Sequence, residues 1–287
     1  MLLTERCVNL GDVELSIAEA GDGQRPLLLV HGFTGTKQDF TPWLDELAGL
    51  GWHAVAPDLR GHGQSSKPDA ESAYSFEVMA DDVLRLADAL GWNRFVMLGH
   101  SMGGMVAQFV ARSAGERLAG LILMDTTHGP LDNLDSDLIE AAVSIVRGQG
   151  IDALADVMAT YEGPLTTPAH RRLLAERAGY AEFTDRKFRT SSPAMYAAMA
   201  PLFPTAADRL DSLRRLPATV PVLVIVGEQD EPFLAPSQRM AAAVPRGSLA
   251  LIPDAGHCPQ FENTDLWWRA LTEFLASLER ADRDVSR

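Results

Sequence analysis

The chain has 287 residues, of which 46% are hydrophobic and 22% are charged, and its formal net charge at pH 7 is −14. This composition is that of a globular protein with a sizeable core, and the acidic balance disfavours nucleic acids and anionic membranes as partners. No apolar run approaches the roughly 20 residues of a membrane span, and the N-terminal stretch is charged where a signal peptide would be apolar. We therefore expect a cytoplasmic protein with one large domain, with or without an insertion.

Cys7 and Cys258 are the only cysteines, which is too few for a disulfide framework, and their separation matches no metal-ligand motif. The metalloprotease pattern HExxH, a complete Walker loop and the dinucleotide-binding pattern GxGxxG are also absent from the sequence. We therefore predict free thiols, no metal site and no cofactor.

The chain begins with two segments of strand type, residues 6–10 and 13–20, on either side of a turn at residues 11–12. This arrangement predicts an antiparallel pair. The continuous apolar run at residues 27–30 is typical of a strand buried on both faces, and it ends in the turn sequence HGF at residues 31–33.

Alternating helix and strand patterns follow this turn. Residues 36–50 and residues 75–90 have the apolar spacing of amphipathic helices, and residues 53–56 are of strand type. The loop after that strand contains Asp58 and Arg60 among several turn-forming residues. We interpret these two charges as the support of a structural turn rather than as catalytic groups.

The periodicity changes from strand to helix within residues 95–110. Residues 95–98 are an apolar run of strand type, whereas apolar residues recur at helical spacing from Met102 onward. Ser101 lies at the corner between them, with glycines on both sides. A strand that passes directly into a helix needs small neighbours and holds its central residue in a strained conformation. The corner would present the Ser101 hydroxyl beside the free N–H groups of the first helical turn, which predicts an acyl-transfer nucleophile.

Residues 118–124 predict a further buried strand, but from residue 129 to about residue 217 the strand pattern vanishes. Only helix-type runs occur there, at residues 138–146, 151–161, 169–178 and 195–203. The last run has an apolar face formed by Met195, Met199, Leu202 and Phe203. Flexible apolar side chains suit an adaptable acyl pocket, and packing of this helix on the core explains the same pattern equally well.

Strands resume at residues 222–226 and 248–252, and a final helix is predicted at residues 265–278. The charged tail at residues 280–287 is expected to fray. Strands that alternate with helices predict an α/β fold, with a mostly parallel sheet flanked by helices and a site at the carboxyl ends of the strands.

The strand-free region leaves this alternating pattern after one strand and returns before the next. We therefore expect residues 1–128 and 218–287 to form one α/β core. The intervening residues 129–217 are expected to form an inserted helical cap over the site.

A serine hydroxyl is a weak nucleophile at neutral pH, so Ser101 needs a base, and the base needs an acid to orient it. His257 is the one histidine that follows the last predicted strand, and we predict that it is the base. Asp125, Asp230 and Asp254 all lie near strand ends. We favour Asp230 because it lies between the serine and the histidine in sequence, in a polar loop directly after a buried strand.

An oxyanion formed on the substrate needs donors beside Ser101. The backbone N–H groups of Phe33 and Met102 are predicted to supply them, because Gly32 lets the backbone approach a ligand and Met102 lies in the first turn of the helix after the serine corner. His31 and His100 adjoin these donors, and we expect their rings to line the substrate pocket together with Met195, Met199 and Phe203.

The sequence resembles the α/β-hydrolase superfamily in four motifs and in their order. They are HGF at residues 31–33, DLRGHGQS at 58–65, GHSMGG at 99–104 and AGHCPQFE at 255–262. The resemblance covers nearly the whole chain apart from the cap. It implies a triad of Ser101, Asp230 and His257, and within the superfamily it favours carboxylesterases and their lactonase and haloperoxidase-like relatives.

Several other activities are compatible with these motifs. The C–C bond hydrolases of aromatic ring degradation are similar in length, but they typically have Asn and Trp where this chain has His100 and Cys258. The HGFTGT and SMGG segments also resemble a pyruvate-eliminating synthase of menaquinone biosynthesis, which is a lyase. Epoxide hydrolases and haloalkane dehalogenases use Asp in place of Ser101, so they are disfavoured.

The sequence therefore predicts a carboxylesterase that acts on a small-molecule ester through an acyl-enzyme. A C–C bond hydrolase or enol-lactonase is the first alternative, and the menaquinone-pathway lyase is a second. A non-catalytic signal receptor is a further alternative, because this fold also serves receptors that retain the triad. A homo-oligomer is compatible with the sequence.

Overall fold

The computed structural model describes residues 2–132, 134–163 and 165–285 of the chain. Its eight strands are β1 (Thr4–Asn9), β2 (Glu14–Ala20), β3 (Arg25–Val30), β4 (Trp52–Pro57), β5 (Phe95–His100), β6 (Leu118–Met124), β7 (Val222–Gly227) and β8 (Gly247–Ile252). They form a single sheet in the order β1-β2-β4-β3-β5-β6-β7-β8.

Most of this sheet is parallel. β1 pairs with β2, and β2 with β4, in antiparallel register, whereas every neighbouring pair from β4 through β3 to β8 is parallel. The predicted α/β fold is therefore confirmed. In a parallel sheet the carboxyl ends of β3, β5, β6, β7 and β8 share one edge, so the loops that follow these strands converge there.

The central strands are buried on both faces, as their continuous apolar sequences predict. Along β3, Leu28 and Val30 belong to one cluster of buried apolar side chains, while Leu27 and Leu29 belong to another. Five helices flank the sheet: α1 (Leu44–Gly49), α2 (Phe76–Ala89), α3 (Met102–Ala114), α10 (Glu231–Ala243) and α12 (Thr264–Val285). Side chains of α2, α3 and α10 complete the first cluster, and side chains of α1 and α12 complete the second.

Between β6 and β7 the described residues contain helices and no strand. The helices are α4 (Ser136–Gln149), α5 (Ile151–Met158), α6 (Pro168–Glu176), α7 (Tyr180–Arg189), α8 (Pro193–Met199) and α9 (Leu210–Arg214). We call residues 129–217 the helical segment. Its α8 contributes to the core, because Met195 and Met199 are fully buried within the first apolar cluster. A short α11 (Pro259–Glu262) precedes α12.

Two predicted helices are interrupted in the structure. The predicted helix at residues 36–50 is two 3₁₀ turns, Lys37–Asp39 and Thr41–Trp43, followed by α1. Pro42 explains the interruption, because a proline has no N–H to donate to the carbonyl four residues earlier. The first part of the helix predicted at 195–203 belongs to α8, which ends at Met199. The chain then forms a 3₁₀ turn, Ala200–Leu202, which contains Pro201.

The expected frayed tail is helical for most of its length, because α12 continues to Val285. The last two residues of that predicted tail lie outside the described residues.

Candidate active site

Ser101 lies at the corner where β5 passes into α3, with φ 51° and ψ −117°. A non-glycine residue with this positive φ is strained, and the tight corner that imposes it leaves no space for side chains on its neighbours. A Cβ on Gly99 would lie 2.3 Å from the carbonyl oxygen of Gly103, and a Cβ on Gly103 would lie 2.5 Å from that of Val30. The glycines therefore allow the geometry that the sequence predicted for this corner.

Ser101, His257 and Asp230 form a continuous hydrogen-bonded array. The Oγ of Ser101 lies 2.9 Å from Nε2 of His257, and Nδ1 of His257 lies 2.9 Å from Oδ2 of Asp230. Both distances are those of good hydrogen bonds. The three groups come from the carboxyl ends of β5, β7 and β8, which the parallel sheet brings to one edge.

The ring of His257 is held on two sides and through its backbone. It packs against Phe233, with the ring centroids 4.8 Å apart, and against His100 at 5.0 Å. The carboxylate of Glu262 accepts hydrogen bonds from the N–H groups of Gly256 (2.6 Å) and Cys258 (3.2 Å). The loop that presents His257 is therefore fixed by a side chain from α11.

The structure places the three candidate acids differently. Asp230 is fully buried and bonded to His257, and Asp254 is exposed. Asp125 is also fully buried, and its Oδ1 accepts a 2.8 Å hydrogen bond from the N–H of Gly227, which joins the ends of two adjacent strands. The geometry therefore favours Asp230 as the partner of His257, and it places Asp125 next to that partner.

The predicted oxyanion donors lie beside the serine. A Cβ on Gly32, the residue before Phe33, would lie 3.0 Å from the Ser101 Cβ, so the two loops are in contact. The N–H of Met102 belongs to the first turn of α3 and has no partner within the helix. The N–H of Phe33 donates to no described residue. Two free donors thus lie close to Ser101.

His31 supports the loop that contains Gly32 and Phe33, which we call the donor loop. It is fully buried, its Nδ1 lies 2.8 Å from the carbonyl oxygen of Gly32, and its Nε2 accepts a 3.0 Å hydrogen bond from the N–H of Leu59. Burial lowers the pKa of this imidazole. Both ring nitrogens therefore bind the backbone, which favours a supporting role over contact with substrate.

His62 supports the same loop from its other side, and the sequence analysis did not assign it this role. Its ring packs edge to face on His31, with the centroids 4.9 Å apart, and its Nε2 accepts a hydrogen bond of 3.3 Å from the N–H of Thr34. Burial lowers the pKa of His62 well below its usual value, so the ring is a neutral acceptor. The sequence signal for this supporting role was the position of His62 in the GHG sequence that follows Arg60.

His100 is buried next to the array. Its Nε2 lies 2.7 Å from the backbone oxygen of His257, while its Nδ1 has no partner among the described residues. Burial and the neighbouring His257 lower the pKa of His100 to about 3. The ring is therefore a neutral donor to the His257 loop.

The predicted pocket residues of the helical segment differ in depth. Met195 and Met199 are fully buried in the core cluster, whereas Phe203 keeps 9% of its surface exposed. The ring of Phe203 lies 5.0 Å from that of Phe33, and Tyr196 lies at the same distance from Phe33. Phe203 and Tyr196 therefore reach the donor loop, and the two methionines pack beneath them.

Two ion pairs that the sequence analysis missed fix the donor loop from afar. Lys37 is fully buried, and its ammonium group lies 3.4 Å from the carboxylate of Asp58. Asp58 also accepts hydrogen bonds from the N–H of Lys37 (2.7 Å) and from the N–H of Gln64 in its own loop (2.9 Å), as expected for the support of a structural turn. Lys187 of α7 pairs with the buried Asp39, so the helical segment is tied to the donor loop. Partners this distant in sequence leave no local signal.

The chain belongs to the alpha/beta hydrolase fold family, whose model matches residues 25–264. A candidate 2-succinyl-6-hydroxy-2,4-cyclohexadiene-1-carboxylate synthase of Bacillus subtilis (strain 168) is 28% identical, over 93% of this chain and 96% of that protein. Among solved structures, a thermophilic esterase from Thermogutta terrifontis is 29% identical with a TM-score of 0.78, covering 97% of this chain and 99% of its own.

A further structural neighbour is Est816, an N-acyl homoserine lactone degrading enzyme. It is 25% identical with a TM-score of 0.76, and the match covers 94% of this chain and all of that one. Hydrolases of esters and lactones are thus among the proteins with this architecture. Within the described residues no helix combines the length and hydropathy needed to cross a bilayer.

Proposed function

We propose that the protein is a carboxylic ester hydrolase that works through an acyl-enzyme on Ser101. The array of Ser101, His257 and Asp230, joined by two contacts of 2.9 Å, is the observation that carries this proposal. A hydroxyl bonded to an imidazole that is oriented by a buried carboxylate is the arrangement that activates a serine nucleophile. The similarity to an esterase and to a lactone-degrading enzyme supports the same conclusion.

The first half of the reaction acylates the serine. Asp230 accepts a hydrogen bond from the Nδ1–H of His257, which leaves the lone pair of Nε2 facing Ser101. As Oγ attacks the ester carbonyl, Nε2 takes its proton, and negative charge develops on the former carbonyl oxygen. The N–H groups of Phe33 and Met102 stabilise this oxyanion, each contributing about 3 kcal/mol. Collapse of the intermediate expels the alcohol, which receives its proton from Nε2.

The second half returns the enzyme to its starting state. Water attacks the acyl carbonyl while Nε2 of His257 takes its proton, and the same two donors hold the second oxyanion. The carboxylic acid leaves as the proton returns to Oγ of Ser101. The protein supplies every group that these steps require.

The helical segment is proposed to form a cap over the site, with residues 1–128 and 218–287 as the core. Phe203 and Tyr196 contact the ring of Phe33, so this segment reaches the loop that carries an oxyanion donor. Phe203 would then border the acyl group, with Met195 and Met199 as the deformable layer behind it.

An elimination reaction is the second candidate, because the Bacillus subtilis relative named as a synthase matches nearly the full length of both chains. Hydrolysis adds the atoms of water to the products, whereas elimination does not. Reaction in ¹⁸O-labelled water would separate the two candidates, since only hydrolysis places ¹⁸O in the carboxylate product.

The main test is turnover of short p-nitrophenyl esters by the purified protein. Wild type should turn over many times, and Ser101→Ala should lose on the order of 10⁶ in kcat. Ser113→Ala is the matched control, because Ser113 lies on the same helix and is exposed. Release of a single equivalent of p-nitrophenol would instead indicate a receptor with a reactive serine, and the absence of any turnover across esters, lactones and vinylogous diketones would refute the hydrolase assignment.

A further inference from the structure

Two buried carboxyl groups lie side by side behind the histidine. Asp125 and Asp230 are both fully buried, and one ligand atom each from Asp125, Asp230 and His257 lie within 4.8 Å of one another. Among the described residues, Oδ2 of Asp125 and Oδ1 of Asp230 have no donor. The other oxygen of each carboxyl group has a partner: Oδ1 of Asp125 accepts from the N–H of Gly227, and Oδ2 of Asp230 contacts Nδ1 of His257.

Two such groups cannot both remain ionised at this distance without a cation between them, because burial and like charge both oppose ionisation. Burial, followed by the charge of Asp230, raises the pKa of Asp125 well above its usual range. Glu262 also faces the pair, and burial raises its pKa as well. His257 is the basic side chain that the described residues place against Asp230, and its Nδ1 faces Oδ2 of that carboxylate.

We propose that Asp125 is protonated at neutral pH and donates the O–H on its Oδ2 to Oδ1 of Asp230, which makes it a positioning residue for the triad. The proposal rests on the assigned roles of Ser101 and His257. It extends the array to four groups, from Asp125 through Asp230 and His257 to Ser101.

This hydrogen bond would act on the orientation and basicity of Asp230. With Oδ1 held by Asp125 and Oδ2 by His257, the carboxylate cannot rotate about its Cβ–Cγ bond without losing a buried hydrogen bond. A donor to Oδ1 also withdraws charge from the carboxylate, so the Nδ1 proton stays on His257 during the reaction. The φ of 45° at Asp125 suits the task, because aspartate and asparagine tolerate this conformation better than most residues.

Infrared spectroscopy tests the protonation state without turnover. A neutral carboxylic acid has a C=O stretching band separate from those of carboxylates and amides, and the band shifts in ²H₂O. The difference spectrum between wild type and Asp125→Asn at pH 7 should show the loss of such a band. Asp254→Asn is the matched control, because Asp254 also has a positive φ and follows a strand but is exposed.

The difference spectrum of the control should show no neutral acid band. If the spectrum for Asp125 shows loss of a carboxylate band instead, Asp125 is ionised and the proposal is overturned.

Kinetics then tests the positioning role. Asp125→Asn keeps a donor for Asp230 and an acceptor for Gly227, so it should retain most of kcat/KM, and the acid limb of its pH profile should stay at the wild-type position. Asp125→Ala removes the donor and should lose about 10- to 100-fold in kcat with little change in KM. If the acid limb of Asp125→Asn moves down by about one pH unit or more, a negative charge has been removed and the proposal is wrong.

The two proposals fail in different ways. Absence of esterase turnover in wild type would remove the proposed function while the infrared band still reports the carboxyl pair. An active wild type without the neutral acid band would leave the esterase assignment in place and overturn the role of Asp125.

Discussion

Gly32 runs so close to Ser101 that a methyl group on Gly32 would lie 3.0 Å from the serine Cβ. Nearly all real Cβ contacts are longer, so Gly32→Ala must displace either the nucleophile or the loop that carries Phe33. A displacement of about 1 Å can cost on the order of 10² in rate, and the shift needed here is smaller than that. We expect kcat to fall by about 10-fold with the fold retained, as measured on one p-nitrophenyl ester and by circular dichroism. Gly148→Ala is the control, since its methyl would meet nothing within 4 Å.

The identity of the acid predicts a clear ranking of two amide variants. Asp230→Asn should preserve the fold and KM but lower kcat by about 10⁴, because the amide favours the wrong tautomer of His257. Asp125→Asn should lose far less, because its side chain bonds Gly227 and not the imidazole. Steady-state kinetics of both folded variants on one ester checks this. The reverse ranking would assign the acid to Asp125.

The pH dependence of kcat/KM follows from the role of His257 as base. The imidazole must be neutral to accept the serine proton. Activity should therefore fall toward acid pH with a slope of one ionisation. A profile that stays flat between about pH 5 and about pH 8 would show that another group accepts the proton.

Acyl-chain preference should respond to Phe203 more than to Met199. Phe203 contacts the ring of Phe33 and keeps 9% of its surface exposed, so Phe203→Leu should open space beside the ester and raise the relative rate for longer acyl chains. Met199 is fully buried, and Met199→Leu conserves volume, so the ratio of rates on short and long p-nitrophenyl esters should hardly change. Equal effects of the two substitutions would show that Phe203 does not border the acyl group.

The sequence-based expectation that Met199 itself lines the pocket is tested by Met199→Ala. It is wrong if this variant leaves the relative rates for short and long acyl chains unchanged.

Stability toward acid should depend on His100. The folded ring has a pKa of about 3 against an ordinary value of 6.5, so between these values the unfolded chain binds a proton that the folded protein does not. Stability is therefore lost as pH falls, by about 1 kcal/mol between about pH 6.5 and about pH 5.5 from this group alone. Urea titrations of wild type and His100→Gln at both pH values should show this difference. A stability difference between the two proteins that is independent of pH would mean that folding does not lower the pKa of this ring.

The sequence predicts those parts of the fold in which local pattern and tertiary structure agree. The buried runs of β3, β5 and β7 need no partner to be recognised, and the serine corner carries its own glycines. The pattern does not predict α10, which begins directly after Asp230 and contains Pro236 within it. Tertiary packing of Phe233 and Met240 outweighs the missing backbone hydrogen bond there.

The site could be predicted only as far as its motifs extend. Ser101 and His257 lie in local signatures, whereas the supporting groups are defined by distance in space. Lys187 and Asp39 are 148 residues apart, and Asp125 meets Gly227 across 102 residues. No periodicity or turn pattern predicts such pairs, because only the folded structure brings their members together.

The order of the strands in the chain also means that the nucleophile is synthesised well before the histidine that activates it. Ser101 follows β5 in the middle of the sheet, but His257 is made 156 residues later and follows β8 at its edge. At ordinary translation rates, the serine leaves the ribosome about 8 to 30 s before its base does. On the proposed mechanism, a nascent chain can fold its central strands and still leave cellular esters intact, and the docking of the last two strands is the step that makes the hydroxyl reactive.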